Sequence, residues 1–290
     1  MRALKQVGQL VVVALVALVG NQVFTAVDGN APAMLAVGLA TAVAALLAYA
    51  GVVRWTERRP VVELEPRHAA AGLGSGTLVG IVMFTAVIAV VALLGDYHVD
   101  GWGSASGTVG QIGFMAAAAV TEELMFRGVI FRALQERTGT WVSLAVTGAL
   151  FGGAHLLNAH ATLWGGLAIA IEAGGMLTAA YVATGKLWVP IGLHLGWNFA
   201  EAGIFSTVVS GNGSNQGMLD ATISGPTAVT GGEFGPEASL ISLACCLVVT
   251  AALLVVARRR GRIVPLARAR RGEARTDALG LVDAPATLAR

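Results

Sequence analysis

Three short runs in this chain set carboxylates, imidazoles and an amide at helical spacing. The first is Glu122-Glu123-Leu124-Met125-Phe126-Arg127. Consecutive residues on a helix point about 100° apart, so the two carboxylates cannot perform the same task. Glu123 and Arg127 are four apart and can pair along one face. Glu122 points elsewhere, without a sequence-local cation, and is the candidate general base. The second run is Phe151-Gly152-Gly153-Ala154-His155, with ring and imidazole one turn apart and only small residues between. The third is His194-Leu195-Gly196-Trp197-Asn198. Its imidazole and amide share a face and can donate hydrogen bonds to one point, as stabilising an oxyanion requires. Taken singly, each run has a plainer reading: a structural ion pair, a packing histidine, or helix–helix hydrogen bonds worth about 0.6 kcal/mol each.

The elements that must carry these runs are apolar. Of 290 residues, 56% are hydrophobic and 12% charged, with a mean hydropathy of +0.72. A typical soluble domain has about 25% charged residues. This composition suits lipid and excludes intrinsic disorder. A net charge of +2 with dispersed basic residues argues against a nucleic-acid partner. Cys245 and Cys246 are adjacent in an apolar run, which fits neither a disulfide framework nor a CxxC metal site.

The sequence predicts an all-α, polytopic transmembrane helix bundle of about eight spans, each near the length a crossing needs. They fall near 7–27, 32–53, 73–95, 108–126, 140–157, 161–183, 187–204 and 238–257. The apolar stretches are continuous rather than alternating, so strands are not expected. Gly148 and Gly152, spaced as GxxxG, allow a close helix contact in the fifth span. Ionisable groups inside a bilayer are costly and mark function by default, which adds Glu172 and Glu201 to the candidates. Glu201 follows Asn198 on the same face and either orients Asn198 or meets the outer headgroup region, the latter being the plainer expectation, while Glu172 needs a partner that the sequence does not identify. His160 reads as a solvated loop residue, and His68 and His98 carry no assigned role.

With the amino terminus inside, all 19 Lys and Arg residues fall in inner segments, and the positive-inside rule then sets both termini in the cytoplasm. The chain divides into a three-span region 1–107 with a charged cytoplasmic linker 54–72, a core 108–204, an extracytoplasmic loop 205–237, a last span 238–257 and a basic cytoplasmic tail 258–290 against anionic membrane lipids. Residues 1–27 exceed a usual signal core and are expected to stay as the first span. Arginine- and alanine-rich composition without an organelle signal points to a bacterial inner membrane. One check on depth is only partly met. Glu122 lies about 7–8 Å from an inner boundary at Arg127, His194 about 12 Å past Lys186, and His155 about 22 Å past Thr140. Convergence therefore needs the helix to continue past Arg127 through the amphipathic residues 127–137, or the fifth span to tilt or start late.

In their order, and on separate spans, the three runs resemble the CPBP (Abi) intramembrane proteases, which include the CAAX prenyl endopeptidases. The match is EExxxR at Glu122–Arg127, FxxxH at Phe151–His155 and HxxxN at His194–Asn198, with Gly185–Ile191 leading into the last. It covers about residues 108–204, a CPBP-like catalytic core. The resemblance implies an endopeptidase acting on membrane-associated peptide or prenylated, CAAX-type protein substrates. In that reading Glu122 takes a proton from water, His155 orients the water, and His194 and Asn198 hold the oxyanion; Glu123 and Arg127 support them. This route requires no cofactor. Zinc on Glu122, His155 and His194 is the alternative. Two other functions stand beside it: a non-proteolytic membrane adaptor or bacteriocin self-immunity protein, which has little need of these four residues together, and a proton-coupled transporter with Glu122 and Glu172 as carriers.

Overall fold

The computed structural model describes residues 2–213 and 216–266. The expected basic tail lies outside the described residues from 267 onward. The fold is almost entirely helical: α1 (Arg2–Ala26), α2 (Ala31–Glu57), α3 (Ala69–Leu93), α4 (Ala105–Glu123), α5 (Arg132–Ala154), α6 (Leu163–Thr184), α7 (Trp188–Phe199), the single turn α8 (Thr227–Thr230) and α9 (Leu240–Arg259). A wide π-helical stretch, Leu124–Phe131, joins α4 to α5, and a second, Ala200–Ile204, continues α7. Two short strands, β1 (Tyr97–Trp102) and β2 (Leu219–Ile223), pair antiparallel with an irregularity between Val99 and Gly101. Continuous hydropathy did not announce them, because they lie outside the spans.

Among the described residues, six helical runs are long and apolar enough to cross a membrane. The eight expected spans map onto these with two differences. The fourth and fifth lie in one run, Ala105–Leu157, of 53 residues, which laid straight would reach about 80 Å. It is not straight. Gly139 takes φ 74° and ψ 177°, a conformation open to glycine at little cost. The Phe126 and Phe151 rings, on either side of it, meet at 4.9 Å, so the chain doubles back at Gly139. The seventh expected span has only 12 α-helical and five π-helical residues, short of the ~20 that a crossing needs, and is largely buried among other helices.

Small residues allow that burial. α3 presents Gly76 and Gly80 to α7, where a Cβ at Gly76 would come within 2.4 Å of the Val189 carbonyl oxygen, and one at Gly80 as close to that of Leu193. The expected GxxxG contact is present: a Cβ on Gly152 would sit 2.1 Å from the Gly166 carbonyl oxygen of α6. Helices in lipid gain little from burying apolar surface, so close backbone approach and hydrogen bonding hold them together.

Charged residues of the linker and helix ends join at one end of the bundle. Glu57 pairs with Arg132 and Arg59, and Arg59 also with the buried Glu63. Tyr49 donates its hydroxyl to Glu63 (2.7 Å) and lies 2.9 Å from the Gly128 carbonyl oxygen. Lys186 pairs with Glu65 at 2.6 Å. Arg260 donates to the Ala183 carbonyl oxygen, and Gln9 to Glu57. The segment after α9 is tied in as well, since Thr140 N–H donates to the Val264 carbonyl oxygen and Val264 N–H to the Thr140 hydroxyl. The segment between α2 and α3 is thus docked on the helix ends.

Candidate active site

The reversal at Gly139 removes the depth mismatch. Glu122 lies seventeen residues before the turn and His155 sixteen after it, about 25 Å and about 24 Å along their helices. The helix does continue past Arg127, carrying its carboxylates to the level of the FxxxH run.

At that level Glu123 and Arg127 are both fully buried and pair at 2.7 Å through Oε1 and Nη1. Arg127 spends its other donors on α6: Nη2 reaches the Ala173 carbonyl oxygen at 2.8 Å and Nε the Thr178 hydroxyl at 3.3 Å. Its guanidinium carbon lies 4.7 Å from the centre of the Phe151 ring, an attractive geometry between a cation and an aromatic face. The same Glu123 oxygen stands 3.2 Å from His194 Nδ1. A carboxylate there calls for hydrogen on Nδ1, which turns the other ring nitrogen, Nε2, toward Glu122 at 3.9 Å from Oε2. The Glu122 side chain is 28% exposed, yet that oxygen is buried with no hydrogen-bond partner.

His155 closes α5 with its ring 4.7 Å from that of Phe151 and its Nδ1 2.8 Å from the Phe151 carbonyl oxygen. Its Nε2 is thereby the ring nitrogen left for other work. His155, His194 and Asn198 line one small cavity. Glu122 is absent from that wall and approaches through His194. Phe151 underlies both imidazoles, with its centre 6.2 Å from that of His194.

The zinc alternative needs three donors converging on one point. Among the described residues, no three His, Cys, Asp or Glu side chains gather closely enough to hold a metal ion.

Two acids outside the three runs are buried. Glu201 is fully buried, so it does not meet headgroups, and Thr207 N–H donates to its backbone oxygen at 2.9 Å. Glu172 is buried and lines the cavity. Three further cavity residues with polar side-chain atoms escaped the sequence reading: Trp197, Ser210 and Glu237. Trp197 stood within the HxxxN run and could have been singled out. Ser210 and Glu237 bracket a loop whose return carries no local signal.

Residues 104–200 match the family model described as "Rce1-like: Type II CAAX prenyl endopeptidase Rce1-like". The core is similar to CAAX-type proteases. The matched segment holds all three runs, from Glu122 to Asn198, while α1 to α3, the loop with β2 and α9 lie outside it. No curated protein and no solved structure matches the chain. In this CAAX-protease-like core, Glu123 serves two partners, Arg127 and His194.

Proposed function

We propose that this integral-membrane protein is a glutamate-dependent intramembrane endopeptidase. Glu122 takes a proton from a water molecule as its oxygen attacks the peptide carbonyl carbon. His194, protonated on both ring nitrogens, and Asn198 donate hydrogen bonds to the oxygen that becomes negative; His155 Nε2 orients the water. Collapse of the tetrahedral adduct breaks the C–N bond, and the departing amine takes the proton held by Glu122. The observation that carries this reading is the carboxylate of Glu122 3.9 Å from His194 Nε2, beside a cavity that His194 shares with His155 and Asn198.

A peptide or prenylated CAAX-type protein substrate is proposed by similarity of the core. The gathering of cations at one end supports that end as cytoplasmic, with both termini on that side of a bacterial inner membrane. The test is proteomics of membranes containing wild-type or Glu122→Gln protein. New peptide ends are expected only with wild type. Identical ends in both samples, with the two proteins equally abundant, would refute the assignment and favour a non-proteolytic adaptor.

A further inference from the structure

The cavity has a side that hydrolysis leaves unused. Glu172, on α6, is 1% exposed, lines the cavity, and has no hydrogen-bond partner on either carboxylate oxygen. Glu237 on the same wall is well held: Oε1 accepts from Trp197 Nε1 at 3.1 Å, and Oε2 accepts from the Ser210 N–H at 2.8 Å and its hydroxyl at 2.5 Å. Among the described residues, no Lys or Arg lines the cavity. Arg127 is engaged by Glu123 and by α6 carbonyl oxygens. An acid sealed from water with both oxygens idle is costly unless an occupant supplies donors.

The geometry points to a subsite at Glu172 and Glu237 for a cationic side chain of the substrate, a lysine or arginine close to the bond that is cut. The proposal rests on the peptidase reading above. A lysine ammonium brings three donors and an arginine five, enough to meet both oxygens of Glu172. The methylene stem of either lies against Ile169, Met176 and Leu177 of the same wall. Because His155, His194 and Asn198 border this cavity too, a cation held there sets the register of the backbone against them.

The test uses full-length protein in liposomes. A photo-crosslinkable peptide series walks one lysine through a neutral apolar sequence; a matched series carries norleucine instead. Capture by Glu122→Gln protein is expected to favour lysine at least tenfold at one position and to lose that preference in Glu122→Gln/Glu172→Gln. Excess n-butylamine is expected to suppress capture of the favoured lysine peptide and spare its norleucine twin, a readout independent of the second substitution. Equal capture of both series overturns the subsite, as does a lysine preference that survives both Glu172→Gln and the amine. Wild-type protein assayed in parallel separates the two readings. Cleavage without lysine preference removes the subsite and leaves the peptidase; charge-selective capture without cleavage does the reverse.

Discussion

Glu123 and His194, 71 residues apart in sequence, meet at 3.2 Å through Oε1 and Nδ1. The same oxygen accepts from Arg127 at 2.7 Å. One buried carboxylate thus ties the end of α4 to α7 and sets the orientation of the imidazole beside Glu122.

Breaking this junction should cost stability as well as turnover. Glu123→Gln leaves the fully buried Arg127 without its counter-ion, a change expected to cost about 3–5 kcal/mol. The paired change Glu123→Leu/Arg127→Met should recover much of that loss in a thermal or SDS unfolding assay, without restoring cleavage, because His194 loses its orienting partner. An unfolding profile unchanged in Glu123→Gln would argue against the junction.

Glu122 should separate chemistry from folding. Its side chain is partly exposed and its Oε2 makes no hydrogen bond, so Glu122→Gln is expected to unfold at the wild-type temperature. Peptidase turnover should fall by about 100-fold or more, the range ascribed to positioned proton transfer. A loss of stability matching the loss of activity would instead make Glu122 structural.

Asn198→Ala should lower kcat by about 100–1,000-fold with KM little altered, as removal of an oxyanion donor does. A change confined to KM would mean that the amide binds the ground-state substrate only.

Prolonged chelation followed by dialysis is expected to leave cleavage intact, since the proposed route gives every step to side chains. Activity lost to chelator and regained with stoichiometric zinc would replace that route.

The α3–α7 contact should be intolerant of a single methyl group. Gly76→Ala forces a Cβ to within 2.4 Å of the Val189 carbonyl oxygen and should cost about 1–3 kcal/mol. Gly74→Ala, with open space around it, is the control and should be neutral or slightly stabilising. Equal behaviour of the two variants would mean that α7 is not seated by this contact.

Hydropathy and helical spacing are local properties, so the sequence alone determined that the chain is a helical membrane bundle, that Glu123 and Arg127 share a face, and that His194 and Asn198 do. It also brought forward the Gly148–Gly152 contact, because that motif is read from one helix. Tertiary structure decided what depends on residues far apart. The doubling back at Gly139 brought Glu122 level with His155, and the glycine face of α3 seated a helix too short to cross alone. Packing also put Glu237 in one cavity with Glu172. Hydrophobic period reports which face of a helix avoids water, but it carries no term for which distant donor will meet a buried acid. That choice is made only when the helices pack.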